Sequence, residues 1–170
     1  MSRTLLRLGA VVACAVLGVL AAPLPASAAA VSAPYACTSP LGTQSVTIAA
    51  SLTATPNPAG AGAPVLFQLH VSNLGLTSPL TVDSWTGTVT LAVSGAETAQ
   101  FTVAGSGGPI APFQPITGDL SGSWTPSAPG VDEVRGGDVA ITANVALIGK
   151  VSLTCTPAQP QPVGETLTVQ

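Results

Sequence analysis

The sequence contains few charged residues. Lysine and arginine together number four, and aspartate and glutamate seven, among 170 residues. Nucleic-acid binding needs clustered lysine and arginine, and so does attraction to an anionic membrane surface, so the composition argues against both. The apolar fraction of 46% is too high for an intrinsically disordered chain. We therefore expect a folded domain whose partner is neither a nucleic acid nor a charged membrane.

Histidine is almost absent, since His70 is the only one. A catalytic triad needs a histidine beside a nucleophile and a carboxylate, and the alternating pattern around His70 predicts that its side chain faces solvent. One histidine and the two cysteines beyond residue 28, which are expected to pair with each other, do not make a zinc site. The chain also has no phosphate-binding loop and no G-x-S-x-G motif. We expect no catalytic residue, no metal and no cofactor.

The few charges are concentrated in one stretch, VDEVRGGD at residues 131–138. Carboxylates on a glycine-rich loop can hold calcium, which takes several oxygen ligands. The spacing fits no calcium loop, however, and Arg135 would oppose a cation. The stretch is therefore interpreted as a solvated loop tip, with calcium binding as the alternative.

The beginning of the chain has the layout of a secretory signal peptide. Two arginines precede an apolar run at residues 8–22, and the small residues ASA at 26–28 precede a cleavage site. The run is shorter than the ~20 residues of a membrane-spanning helix. Residues 11–14 (VVAC) resemble a lipobox, which leaves acylation of Cys14 as an alternative, although apolar residues follow it. We expect residues 1–28 to be removed and the protein to be secreted into the extracellular space.

Two cysteines, Cys37 and Cys155, follow the signal. An even pair in an exported chain is typical of a disulfide, with two free thiols as the alternative. The bond would tie the first folded segment to the last. Closing so long a loop stabilises the fold by roughly 4–5 kcal/mol in the chain-entropy model.

Apolar and polar residues alternate with period two after the signal, as in β-strands, and helical periodicity is absent there. Residues 46–52 and 65–71 are clear examples. Between residues 80 and 93 the apolar residues change parity, which predicts a bulge near Asp83 and Ser84. Toward the C-terminus, keeping apolar residues on one face predicts a hairpin whose three-residue loop is 148–150, with one long bent strand as the alternative.

About seven short strands separated by turn residues predict an all-β fold, an immunoglobulin-like antiparallel β-sandwich over residues 35–157. Residues 158–170, AQPQPVGETLTVQ, are predicted to be a flexible Pro/Gln-rich tail.

Several motifs taken together resemble an uncharacterised family of secreted actinobacterial domains. They are YACTSP, PVLFQLHVSNLG, LSGSWTPSAPG, GGDVAI and a closing CTP, and the resemblance covers residues 35–157. It implies a secreted immunoglobulin-like β-sandwich and brings no catalytic residue with it.

The stretch GGPIAPFQPITG, residues 107–118, has proline at every third position. Ile110, Phe113 and Ile116 recur in step, one place after each proline. A polyproline II helix has three residues per turn, so these side chains would form a ridge along an extended loop. The ridge either covers an open edge of the core or is an exposed binding surface.

These observations predict a secreted, non-enzymatic module with a structural or binding role at the cell envelope or outside the cell. Its expected partner is a cell-envelope component or another secreted protein, without a nucleic acid and, after signal cleavage, without a membrane. The alternative is a domain that binds a glycan or an apolar small molecule. A glycan site would need exposed aromatic residues, and most aromatic residues here fit inward strand positions.

Overall fold

The structure, a computed structural model, describes residues 29–170. The predicted signal peptide and Cys14 lie outside the described residues. The described part consists of β-strands and connections, and it includes no helix long and apolar enough to cross a membrane. The strands are β1 (Ala30–Ser39), β2 (Gly42–Thr55), β3 (Val65–Asn73), β4 (Val82–Gly95), β5 (Ala99–Gly107), β6 (Gly118–Trp124), β7 (Gly130–Val145), β8 (Gly149–Pro157) and β9 (Val163–Val169).

All strand neighbours are antiparallel, and the sheet closes on itself. The order is β4-β5-β6-β3-β2-β1-β8-β7, and β4 also pairs with β7 along nearly its whole length. On its other side, β7 pairs with β9 through its first half and with β8 through its second half. The all-β antiparallel fold class is confirmed, with nine strands instead of about seven. Because the sheet closes, the inward faces of its strands surround a single interior.

The ring has two short joints. Strands β5 and β6 share one residue pair, Ala104 with Ser121, and β1 and β8 share four. In the β1–β8 joint Cys37 lies directly opposite Cys155, and the predicted disulfide between them is confirmed. Both cysteines are buried. The covalent bond therefore holds the ring together where backbone pairing is sparse.

The alternation seen in the sequence is confirmed most clearly on β3. Val65, Phe67, Leu69 and Val71 of β3 are all buried, and the residues between them are exposed. The predicted bulge is also confirmed, as the β4–β7 register shifts between Val82 and Ser84.

The last hairpin has a three-residue loop, but its position differs from the prediction. Val145 pairs with Gly149, so the loop is 146–148 and not 148–150. Both registers keep apolar pairs on one face, so alternation alone cannot choose between them. Gly149 adopts a φ of 87°, a conformation that glycine accepts without strain, which suits the residue that follows the turn.

The predicted flexible tail is wrong for most of its length. Residues Val163–Val169 form β9, in which Leu167 is fully buried and Val169 nearly so. The side chain of Asn57 donates a hydrogen bond to Glu165 and accepts one from the backbone of Thr168. The alternating pattern of ETLTV outweighs the neighbouring proline and glutamine. The domain accordingly extends from Ala30 to the end of β9, beyond the predicted range of 35–157 on both sides.

The two ends of the closed sheet differ. We call one the cavity end and the other the filled end. The cavity end contains the connections 40–41, 74–81, 108–117 and 146–148. The filled end contains the connections 56–64, 96–98 and 125–129. Toward the filled end, Phe67 packs against Phe101 with ring centroids 4.6 Å apart, and Trp124 stacks on Phe101 at 5.8 Å. These three rings occupy that half of the interior.

Candidate functional site

The half of the interior nearer the cavity end encloses a cavity of about 310 Å³. Seven strands, all except β5 and β9, contribute side chains to its wall, including Ile48, Leu69, Trp85, Leu120, Ile141 and Leu153. No Asp, Glu, Lys, Arg or His side chain lines it. The cavity is therefore an apolar and uncharged site.

Small residues at inward positions explain why this half is not filled. Where the filled half has Phe67 and Trp124, the cavity half has Ala50, Gly87 and Ala143 on the same inward alternation. Protein interiors normally pack to the density of organic crystals, so a row of small side chains in a closed ring leaves space. The sequence pattern marked these positions as inward, but the space they leave depends on ring closure.

Trp85 forms one wall of the cavity and lies against neighbouring strands. A Cβ atom at Gly107 or at Gly118 would overlap the Trp85 ring, so both positions need glycine for this close approach. The indole is thereby held in the wall, where it can report on a bound molecule by its fluorescence.

Among the polar side chains that line the cavity, Tyr35 and Gln161 converge near Gly136. A Cβ atom there would lie 2.6 Å from the Tyr35 hydroxyl and 4.0 Å from Gln161 Oε1. Burial, and to a smaller extent the negative charge of Asp138, raises the pKa of Tyr35 to about 12. The hydroxyl is therefore protonated at neutral pH and able to donate a hydrogen bond. Gln161 Nε2 donates to the backbone carbonyl of Pro34, which fixes the amide.

The cavity reaches the surface at the cavity end. Leu41 and Ile148, on the β1–β2 and β7–β8 turns, line it and are themselves largely exposed. Ile110 and Ile116, from the predicted ridge, line it as half-buried side chains. These residues form the entrance to the site.

The ridge was predicted either to cover an open edge of the core or to be an exposed binding surface, and its three residues do not behave alike. Ile110 and Ile116 pack against the interior, whereas Phe113 is 69% exposed. The physical reason is the backbone of Phe113, whose φ of 61° departs from the value near −75° that a polyproline II helix requires. The three-residue repeat is broken at Phe113, so the side chains do not form one stripe.

A second, polar groove of about 370 Å³ lies on the outer face of β2, β3 and β6. His70 is 55% exposed there, as predicted, and its Nδ1 lies 2.6 Å from Asp119 Oδ1. Ser51 is the register partner of His70 on β2, so serine, histidine and aspartate stand in a row across three strands. Sequence reasoning missed this grouping because the pairing of β3 with β6 creates it.

The row has the residue types of a catalytic triad but not its surroundings. Acyl transfer needs preorganised N–H donors aimed at the developing oxyanion. The backbone amides of Ser51 and His70 belong to strands that are paired on both sides, whereas β6, which carries Asp119, pairs with β3 along its length and with β5 only at Ser121. The amides of β2 and β3 around the row are therefore used by the strand pairing.

The acidic stretch at residues 131–138 is not the loop tip that was predicted. It forms part of β7, where it pairs with both β4 and β9. Asp132 is fully buried, and its Oδ1 accepts a hydrogen bond from the backbone of Glu97. Among residues 29–170, no group of three His, Cys, Asp or Glu side chains could hold a metal ion.

Comparison with models of known protein families finds no match, and comparison with curated proteins finds none either. The resemblance to a family of secreted actinobacterial domains therefore stays a prediction.

Proposed function

We propose that this chain is an extracellular, non-enzymatic binding module that holds a neutral, apolar small molecule inside its closed sheet. The observation that carries this proposal is the cavity of about 310 Å³, with its apolar wall and its entrance at one end. Small-molecule sites in proteins are usually preformed, concave and mostly apolar, with a few polar groups that orient the ligand. Among the roles expected from the sequence, these features favour the apolar ligand.

The chemistry of the wall limits the ligand. An ionised group would be buried without a partner, which is strongly unfavourable, so the ligand is neutral. The volume is roughly twice that of the ~150 Å³ apolar cavity that holds benzene, which suits two fused rings or an aliphatic group of similar size. The hydroxyl of Tyr35 and the amide of Gln161 suit one hydroxyl or carbonyl on the ligand.

A glycan is a poorer fit to the same site. Its many hydroxyl groups would each need a partner in a wall that is mostly aliphatic. Stacking against sugar rings would need exposed aromatic residues, and Phe67, Phe101 and Trp124 instead pack together in the interior.

Binding of 1-naphthol, a neutral two-ring molecule with one hydroxyl, tests the proposal. We expect saturable binding that changes Trp85 fluorescence. Ala143→Leu fills the cavity and should weaken binding about tenfold or more, because extra methyl groups in an occupied space are poorly tolerated. Ala140→Leu makes the same substitution on the exposed face of β7 and should leave binding unchanged. Failure of the wild-type protein to bind, or equal binding by both variants, would overturn the proposal.

A second pair of measurements tests the polar groups. Tyr35→Phe should weaken 1-naphthol binding roughly two- to tenfold, as expected for loss of one neutral hydrogen bond. Naphthalene lacks the hydroxyl, so the same substitution should leave its affinity unchanged. Equal losses for both molecules would mean that Tyr35 acts through packing alone.

Location outside the cell and the immunoglobulin-like classification are parts of the same proposal. The buried Cys37–Cys155 disulfide supports export, because such bonds persist in oxidising compartments. The antiparallel all-β pairing supports the classification.

The row of Ser51, His70 and Asp119 favours a second candidate, an esterase. We infer that the row is not catalytic, because the amides around Ser51 and His70 belong to strand pairing on both sides. Any hydrolysis of p-nitrophenyl acetate should therefore be equal for the wild-type protein and Ser51→Ala, because an exposed imidazole such as His70 reacts with this ester without a serine. A large loss of rate in Ser51→Ala as well as in His70→Ala would establish the second candidate.

A further inference from the structure

Four large apolar side chains stand exposed around the entrance to the cavity. Leu41 and Leu147 are each 97% exposed, Phe113 69% and Ile148 65%. The other large apolar side chains that are exposed, Val131 at 54% and Leu66 at 45%, lie elsewhere on the strands and are less exposed. The most exposed apolar groups are thus collected at one end.

The connections that carry these side chains contact one another. The backbone N–H of Phe113 donates to the carbonyl of Ser78, and that of Ala146, next to Leu147, donates to the carbonyl of Thr81. The connection at 74–81 therefore links the loop of Phe113 to the turn of Leu147. Leu41 is not linked by these bonds, but it lines the same cavity as Ile148. We call the four tips together the entrance surface.

Two of the tips have an unusual backbone conformation. Phe113 and Leu147 adopt φ values of 61° and 68°, and no other non-glycine residue among those described has a positive φ. Bulky residues rarely adopt this conformation, whereas asparagine and glycine accept it readily. Such conformations concentrate at functional sites. Asparagine at either position would adopt this backbone conformation with less strain than phenylalanine or leucine does.

The apolar tips themselves carry no charge. The four connections at the cavity end contain no charged residue, and the exposed Asp83, Asp119 and Lys150 follow three of them at the start of the next strands. With a single lysine and two carboxylates beside it, the entrance surface has no basic cluster to attract an anionic partner. It suits a layer whose surface is neutral overall and whose interior is apolar.

We propose that the entrance surface docks on a zwitterionic lipid layer and inserts Leu41, Phe113, Leu147 and Ile148 among the lipids. The inference rests on the proposed function, because an apolar ligand would then pass between the layer and the cavity without crossing water. It departs from the expectation of no membrane contact. That expectation followed from the scarcity of basic residues, which limits attraction to anionic headgroups and not insertion of apolar tips.

The shape of the surface favours a lipid layer over a protein partner. The apolar groups stand on three separate connections around an opening, Leu41 on one, Phe113 on another, and Leu147 and Ile148 on the third. Protein interfaces of ordinary size have a packed apolar centre with a polar rim, and here the centre is the entrance to the cavity. A fluid layer can surround separate tips, and it is also where sparingly soluble ligands accumulate.

Sedimentation with phosphatidylcholine vesicles tests the docking. Exported protein is used, with its start checked by intact mass, because a retained apolar run at residues 8–22 would bind vesicles by itself. The double variant Phe113→Asn/Leu147→Asn removes two tips and puts asparagine where the backbone favours it. We expect its partitioning to fall about tenfold or more, since each lost side chain removes much of the buried apolar area. The control Leu66→Thr/Val131→Thr removes two exposed apolar groups elsewhere and should partition like the wild-type protein.

The result separates the docking from the cavity proposal. In buffer without vesicles, the double variant should bind 1-naphthol as the wild-type protein does, and Ala143→Leu should bind vesicles normally. The docking is wrong if the wild-type protein does not bind phosphatidylcholine vesicles or binds only vesicles that contain anionic lipid. It is also wrong if the double variant partitions onto vesicles as strongly as the wild-type protein. None of these outcomes affects the proposal that the cavity binds 1-naphthol. If 1-naphthol does not bind, the cavity proposal fails, and with it the transfer of ligand from the layer.

Discussion

Side chains of the same type differ in burial and contacts according to where they lie on the closed sheet. Phe67 is fully buried near the filled end, and Phe113 stands exposed at the cavity end. His70 has the residue type of a catalytic base, but it lies on the outer face of a paired strand beside Asp119. Tyr35 is buried at the cavity wall, where its hydroxyl is one of two polar groups that converge near Gly136.

The titration of Tyr35 gives a prediction at this scale. Burial raises its pKa from 10.0 to about 12, so the folded protein holds the proton at a pH where the unfolded chain has lost it. Stability contributed by this group is therefore present below pH 10 and is lost as the pH rises toward 12. Tyr35 is the only tyrosine, so tyrosinate absorbance measures its titration directly.

Asp138→Asn is the control for this titration. Asp138 is the smaller cause of the shift, so the variant should lower the Tyr35 pKa a little and leave it above the ordinary value of 10.0. A wild-type titration centred on the ordinary value would mean that the hydroxyl is open to water.

Strands act as units whose joints differ in strength. The β4–β7 joint extends over almost the full length of both strands, whereas β1–β8 has four residue pairs and a disulfide. Strand β9 pairs with only the first half of β7, yet it brings Leu167 and Val169 into the core. The number of backbone pairs is therefore a poor guide to what an element contributes.

Leu167→Ala tests whether β9 is an integral strand. Leu167 is fully buried, so the substitution should lower the free energy of unfolding by about 2–5 kcal/mol. Thr166→Ala, at the exposed neighbouring position, should change it by less than about 0.5 kcal/mol. Urea denaturation measures both. Equal, small effects would support a flexible tail.

Cys155→Ser tests the β1–β8 joint. Loss of the disulfide should cost about 2–5 kcal/mol, as in other small secreted domains. The loss should be local as well as global, because four residue pairs remain to hold β1 against β8. Amide hydrogen exchange should therefore accelerate in β1 and β8 more than in β4. Uniform acceleration across the sheet would argue against a weak joint at this place.

At the scale of the whole molecule, ring closure and the contrast between the two ends act together. The filled end packs three aromatic rings into a solid core, while the cavity end keeps its space and its apolar tips. Core packing and the proposed binding thereby lie in opposite halves of one interior. A closed ring keeps the two halves in register without a separate binding domain.

The intact mass of exported protein tests the state of the whole chain. We expect a start at or within a couple of residues of Ala29 and a mass two hydrogens below that of the reduced form, which reflects the Cys37–Cys155 bond. A chain that begins with an acylated Cys14 would contradict this result. So would two thiols that alkylate without prior reduction.

The sequence by itself determined most of the strands, the faces that point inward on them, and the disulfide. Alternation with period two is a local property, so the buried residues of β3 and the bulge between Val82 and Ser84 could be inferred from neighbouring positions. Cys37 and Cys155 could be paired by elimination. β9 was missed because proline and glutamine before it suggested a tail, although Leu167 and Val169 already alternate with threonine.

Only the tertiary structure decided the candidate sites. The cavity exists because β4 pairs with β7 and closes the ring around Ala50, Gly87 and Ala143, and that pairing depends on registers between distant segments. The contact between His70 and Asp119 likewise follows from the β3–β6 register. The positive φ of Phe113 interrupts the three-residue repeat, so its side chain does not line up with those of Ile110 and Ile116. Local patterns establish which way a side chain faces, whereas what it faces depends on strands brought together from far apart in the chain.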